Sequence, residues 1–329
     1  MRAAVAPSLH GRWELRDIPA PTPGPTQVLI KIRASGLCYT DVHLTEGALP
    51  GVQFPCTFGH EPVGEIVALG PGVHGRAVGD RVGVPWVQRG CGRCEACSRG
   101  RVMFCQNSIG TGVGIAGGHA ELMVAYADAT QLIPEGLSYE QAAPIFCAGY
   151  TVWGGLRLAD PKPLERIAVV GIGGLGHLAI QYAKAAGFET IAITQTKDKI
   201  DLVRRLGADY VVADGAALEK AGGADVILGT SNSFRSMTEA LQGLRADGRL
   251  VIMGFSAEKI EIDPATIFMK RGRIICSLQN GREYLHEALD LAARGKVKVA
   301  VETYPLAEVG KAYERVAEGK VRFRAVITT

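Results

Sequence analysis

The sequence predicts an α/β protein in two parts, a β-rich unit and a doubly wound parallel sheet, and its 329 residues suffice for both. Three observations carry this. The first ~145 residues hold short β-type runs punctuated by Gly and Pro. From about residue 150, apolar strand-like runs alternate with helical stretches. Between the first such strand and its helix stands a glycine-rich turn, Gly171-Ile172-Gly173-Gly174-Leu175-Gly176.

The elements follow in chain order. Val28 to Ile32 is a strand preceded by a Pro/Gly segment, Glu65 to Leu69 a second ended by Gly70-Pro71-Gly72, and Asp80 to Val84 a third after a Gly-Asp turn. Such short punctuated strands suit a compact barrel-like unit. In the second part, strands are expected at 166–170, 190–194, 225–228, 249–253 and 273–277. Helices are expected over 175–186, 199–206 and 283–294, the first two closed by Gly187 and Gly207. The reading assigns 150–279 to the sheet domain, and 1–149 with 280–329 to the β-rich domain, the tail folding back on it.

The glycine turn matches G-x-G-x-x-G between a strand and a helix. Gly171 makes the turn, Gly173 lets backbone approach a pyrophosphate, and Gly176 lets helix and strand pack closely. Free N–H groups at the helix start suit the phosphates. The second part therefore reads as a Rossmann dinucleotide-binding domain. An acid at the end of the second strand would bind a ribose 2′-hydroxyl. This chain has Thr194-Gln195-Thr196 there, with Lys197 and Lys199 close behind, so NADP(H) is expected in slight preference to NAD(H).

Composition narrows the function. Hydrophobic residues make up 47%, charged residues 21%, and net charge is only +3, so no nucleic-acid or membrane-surface partner has electrostatic support. No apolar run reaches the ~20 residues that span a bilayer, and none of signal-peptide length follows Met1. The expected location is the cytoplasm, where thiols stay reduced.

Cys91, Cys94, Cys97 and Cys105 have the spacing C-x2-C-x2-C-x7-C. Four thiols so placed can hold one tetrahedral ion, and Zn2+ prefers such closed sulfur sites. Three more candidate ligands are scattered, Cys38 in Gly36-Leu37-Cys38-Tyr39-Thr40-Asp41-Val42-His43, His60 in Gly59-His60-Glu61, and Cys147 in Phe146-Cys147-Ala148-Gly149-Tyr150-Thr151.

With these motifs in this order along its whole length, the chain resembles the zinc-dependent alcohol dehydrogenases of the medium-chain dehydrogenase/reductase superfamily. The resemblance implies a GroES-like catalytic domain joined to the Rossmann domain. It implies two Zn2+ per chain, a structural ion on the four clustered cysteines and a catalytic ion on Cys38, His60 and Cys147 with one open position. Asp41 would orient His60, and Glu61 would be an alternative ligand. Thr40 and His43 would carry the proton of the zinc-bound alcohol outward by way of the cofactor ribose, leaving the alkoxide. Thr151 and Leu175 would lie at the nicotinamide, and Arg324 at the pyrophosphate. Trp86 and Tyr39, with Phe255 nearby, would line a narrow apolar pocket for a primary alcohol or aldehyde. Cys56 and Cys276 match no ligand position and are read as packing residues. A homodimer or homotetramer is expected, the segment 273–278 pairing as an edge strand. Within the family, a polyol or cinnamyl-alcohol type enzyme competes on substrate. From another class, the rival is a non-catalytic zinc- and nucleotide-binding redox sensor.

Overall fold

The computed structural model describes residues 1–256 and 258–329, without the side chains of Lys197 and Asp198. The chain divides into two compact units. One is Met1–Cys147 with Ala300–Thr329, the other Ala148–Val299.

The first unit is built on the strand Gln27–Leu37. Val28, Ile30, Ile32 and Ala34 alternate inward while Lys31 faces out. Val28, Ile30 and Ile32 pack with Ile66, Val82, Val84, Met123 and Ala125 into one core. The strand pairs antiparallel with Glu61–Leu69 on one side and with the C-terminal strand Arg324–Thr328 on the other. Arg324–Thr328 in turn pairs parallel with Val301–Pro305. The tail thus completes the first unit's sheet by main-chain bonding.

The tail begins later than residue 280. The helix Arg282–Ala293 buries Leu285, Ala288, Leu289 and Ala292 within the second unit, against the helix Ala148–Leu158. The Tyr182 hydroxyl donates to Ala288 O at 3.1 Å, and the Tyr150 hydroxyl donates to Asn280 O. Gln181 further donates to Lys298 O at 3.0 Å and accepts from Lys298 N at 2.8 Å, and the chain crosses back at 299/300.

The second unit is a six-stranded parallel sheet. Its order is Tyr210–Val212, Glu189–Ile193, Arg166–Val170, Ala224–Gly229, Leu244–Ile252, Arg273–Cys276. Taken in chain order this is 3-2-1-4-5-6, the doubly wound arrangement with a switch point between the first and fourth strands. Ile167–Val170 and Val226–Gly229 are buried along their length, as strands covered by helices on both faces must be. The short strand Tyr210–Val212 and the helices Gly215–Lys220 and Phe234–Ala240 have no counterpart in the sequence reading. They are too short for periodicity to announce them. No described helix is long and apolar enough to cross a membrane.

Candidate metal centres and dinucleotide turn

The loop of four cysteines has almost no core of its own. Among residues 91–105 only Cys105 is buried. Yet the sulfurs of Cys91, Cys94, Cys97 and Cys105 all lie within 4.8 Å of one another, and none is in a disulfide. The backbone N–H of Cys91 donates to the Cys105 sulfur at 3.3 Å. Backbone N–H groups of Arg93 and Cys94 aimed at Cys91 bring its thiol down to about 6. A ring of thiols with donors holding one as thiolate is a soft, closed donor set of the kind zinc takes.

The second cluster is buried in the first unit. Cys38 ends the strand Gln27–Leu37 and opens the helix Tyr39–Thr45. His60 precedes, and Glu61 begins, the neighbouring strand. Cys147 follows the 3-10 turn Ala143–Phe146. The donor atoms of Cys38, His60, Glu61 and Cys147 lie within 4.8 Å of one another. Asp41 accepts the Cys38 N–H at Oδ2 (2.8 Å), which caps the helix, and its Oδ1 faces His60 Nδ1 at 3.4 Å. Arg324 is buried with its guanidinium on the Glu61 carboxylate, and its Nη1 stands 4.0 Å from the Cys38 sulfur. The residue expected at a pyrophosphate is therefore also the counter-ion of Glu61.

Charge is tightly coupled here. The hydrogen bond with Cys147 holds the Cys38 thiol well below its ordinary range, and the same bond pushes Cys147 up. Burial pushes Glu61 up to about 7, Cys38 adding to the rise and Arg324 opposing it. Burial would raise Asp41 as well, but His60 and His119 beside it hold its carboxyl far below the usual range. Among the described residues, the buried side-chain polar atoms without a partner belong to Ser35, Asp41, His60, Glu61, His119 and Arg324. Both nitrogens of His60 are among them. Buried polar atoms ordinarily find partners. A cation held by two thiols and an imidazole would give one of the His60 nitrogens its partner, and the soft donor set fits zinc.

Around this cluster, Thr40 Oγ1 lies 3.6 Å from the Cys38 sulfur. His43, one turn along the same helix, stacks edge-on against Tyr39 with ring centroids 4.9 Å apart. Trp86 stands edge-on to His60 at 5.1 Å. In the second unit, Gly171 has φ 93°, and a Cβ there would meet Ser231 N at 2.5 Å. A Cβ on Gly176 would meet Gly171 O at 2.2 Å, whereas one on Gly173 would meet nothing within 4 Å. The turn is thus tight on its protein side and open where a phosphate would come. Lys199 reaches back to it, Nζ donating to Ile172 O at 2.9 Å. Thr194 is half-buried, and Gln195 and Thr196 are exposed. The Lys197 side chain lies outside the described residues.

Residues 24–135 match the alcohol dehydrogenase GroES-like domain and residues 174–294 the zinc-binding dehydrogenase domain. An alcohol dehydrogenase of Geobacillus stearothermophilus is 39% identical over 334 residues, covering 99% of each chain. This chain belongs to the zinc-dependent alcohol dehydrogenase family of the medium-chain superfamily. It shares that fold, a GroES-like domain with a Rossmann domain. A solved NAD-dependent alcohol dehydrogenase matches it with TM-score 0.92 at 28% identity, over 100% of both chains. A protein of Sinorhizobium meliloti 1021 described as a zinc-binding dehydrogenase and solved with NADP matches with TM-score 0.89 at 28% identity, over 100% and 99%.

The sequence reading missed three features of this family member. His119 is wholly buried beside Asp41. Gly36 leaves the space that Glu61 fills. Cys276, read as packing, is exposed on the strand at the sheet edge. Only the pair Gly117-Gly118 before His119 hinted at a close approach.

Proposed function

We propose that this chain interconverts primary alcohols and aldehydes, with a nicotinamide dinucleotide as hydride partner and catalytic zinc on Cys38, His60 and Cys147. The observation that carries this is the set of orphaned buried donors and acceptors around two thiols, in a member of a zinc dehydrogenase family. When bound, zinc supplies a Lewis acid that acidifies a hydroxyl, and the dinucleotide accepts the hydride. The chain's own residues supply the rest.

Cys38 and Cys147 bind as thiolates and His60 through its neutral ring. Asp41 Oδ1, 3.4 Å from His60 Nδ1, is placed to turn the other ring nitrogen toward the metal. Arg324 keeps Glu61 charge-balanced beside the ligands. Oxidation of an alcohol releases one hydride and one proton. Thr40 takes the proton next to Cys38, and half-exposed His43 passes it to water. Trp86 and Tyr39 narrow an apolar pocket suited to primary alcohols and aldehydes. Gly171, Gly173, Gly174 and Gly176 take the pyrophosphate, and Leu175 and Thr151 the nicotinamide. Arg324, beyond its pairing with Glu61, contacts the pyrophosphate. Thr194, Gln195 and Thr196, with the Lys199 ammonium fixed on Ile172 O, accept a 2′-phosphate, so NADP(H) is slightly preferred to NAD(H). The four-cysteine loop holds a second, structural zinc. The edge strand Arg273–Cys276 pairs copies into a homodimer or homotetramer, and the enzyme works in the cytoplasm.

The test is the initial rate on a simple aromatic aldehyde with NADPH and with NADH, before and after a zinc chelator. Activity that falls on chelation and is higher with NADPH is expected. No turnover with either cofactor, despite bound zinc, would favour the redox-sensor reading instead.

A further inference from the structure

Asp41 is flanked by two buried histidines, of which the metal reading uses one. His119 Nε2 stands 3.8 Å from Asp41 Oδ2, while His60 Nδ1 stands 3.4 Å from Oδ1. His119 is wholly buried, and neither ring nitrogen has another partner among the described residues. Its place is enforced from several sides. Gly118 N donates to Gly59 O at 2.7 Å and His119 N to Phe58 O at 3.1 Å, so its segment is bonded directly to the one carrying His60. Gly59 allows this approach, since a Cβ there would meet His119 N at 2.6 Å. The Trp13 ring packs on the imidazole, centroids 5.5 Å apart, and its Nε1 donates to Thr45 Oγ1, which donates to Asp41 O.

We infer that His119 is a positioning residue for the catalytic metal: it holds the carboxylate of Asp41 from the side opposite His60, so that Oδ1 stays aimed at His60 Nδ1. A carboxylate that turns freely about its Cβ–Cγ bond fixes neither the tautomer nor the ring plane of a ligating histidine. The helix cap from Cys38 N binds only one lone pair of Oδ2. At 3.8 Å the His119 Nε2 is beyond hydrogen-bond length from this oxygen, but a small turn of either side chain closes the gap, removes the remaining freedom and gives the buried imidazole the partner it lacks. The inference rests on the metal reading of Cys38, His60 and Cys147.

The test compares H119M and H119Q, side chains of similar length of which only Gln donates a hydrogen bond. The holoenzyme is challenged with a chelator, and zinc release is followed alongside the ligand-field spectrum of protein with cobalt at this site. H119M is expected to lose the catalytic ion about 10–100-fold more readily and to shift the cobalt bands, as losses around a metal-binding histidine do. H119Q is expected to stay close to the parent in both. H119M that keeps metal and spectrum like the parent overturns the inference, as does H119Q impaired as much as H119M. If H119M does not fold, H119F replaces it in the same comparison. A parent that binds no metal at these residues sinks the metal reading itself, which is a different result from parent-like release in H119M.

Discussion

Gly36 and Glu61 stand opposite each other on paired antiparallel strands, and a Cβ at position 36 would lie 1.8 Å from Oε2 of Glu61. The glycine is there for space, and the space is what lets a carboxylate lie among Cys38, His60 and Arg324. Gly36→Ala must push Glu61 aside in a packed interior and loosen its pair with Arg324. Overpacking of this kind costs about 1–3 kcal/mol. At about 2–4 °C per kcal/mol for a domain of this size, thermal melting of the metal-loaded protein should show it. A melting temperature equal to the parent's would mean that Glu61 moves without cost and that its position is not fixed by Gly36.

The four-cysteine loop lacks a hydrophobic core, so its order depends on what the sulfurs hold. Cys97→Ser should lower the zinc content from about two ions per chain to about one, since a closed site needs all four thiolates. Trypsin should then cut at Arg93, Arg99 or Arg101, which lie in the loop. Metal analysis and limited proteolysis check this together. An unchanged zinc content would place the second ion elsewhere.

What could be read in advance was what is local. The cysteine spacing and the glycine turn each sit within one short segment, where backbone geometry makes sequence distance a guide to spatial distance. The parallel sheet was legible in five of its six strands, because its central strands are apolar nearly throughout, while the short edge strand Tyr210–Val212 was not. The Arg324 pair with Glu61 joins residues 263 positions apart, and His119 meets Asp41 through two glycine-bearing segments pressed together. Neither contact has a periodicity or spacing to announce it. The helix Arg282–Ala293 was visible as a helix, but which unit its apolar stripe would cover was not.

In the proposed reading, cofactor choice rests on Thr194, which directly follows the strand Glu189–Ile193. Thr194→Asp places a carboxylate where a ribose 2′-hydroxyl would be bonded and a 2′-phosphate repelled. The NADPH-to-NADH ratio of kcat/KM should fall on the order of tenfold, or about 1.4 kcal/mol. Lys199→Ala separates two roles. Its ammonium also ties the helix to Ile172 O, so some loss with both cofactors is expected. A larger loss with NADPH than with NADH marks the phosphate contact, and equal losses would reduce Lys199 to a brace for the turn.

The strand Arg273–Cys276 is the last in its sheet, and exposed apolar residues flank it in the chain, Phe268 (81%) and Met269 (79%) before it and Leu278 after it. An open strand edge beside apolar surface invites pairing with a second copy. Ile274→Asp together with Leu278→Asp should convert an oligomer to smaller species in light scattering, with secondary structure kept in circular dichroism. A particle mass unchanged by the double substitution would move the interface elsewhere.

Arg249 ties the second unit together from within. Buried, it donates through Nε to Ala159 O at 2.8 Å and through Nη2 to Asp160 O at 3.0 Å. It also grips both Glu165 oxygens, at 2.9 and 2.6 Å. Removing one partner of a buried ion pair costs about 3–5 kcal/mol, and Glu165, a fifth exposed, puts Arg249→Met toward the lower end. The pH dependence follows from Glu165, whose carboxyl Arg249 holds below the usual range, chiefly by hydrogen bonding. A carboxyl depressed in the folded state stabilises at pH values above its unfolded pKa, about 4.5, and that contribution fades as pH falls through the lower folded value. The difference in unfolding free energy between the chain and its Glu165→Gln variant should therefore be full near pH 7 and shrink below pH ~4.5. Both proteins carry the same metal sites, so acid loss of metal cancels in the difference. Urea midpoints at a series of pH values measure it, and a difference constant down to pH ~3 would show that the pair acts by packing rather than by charge.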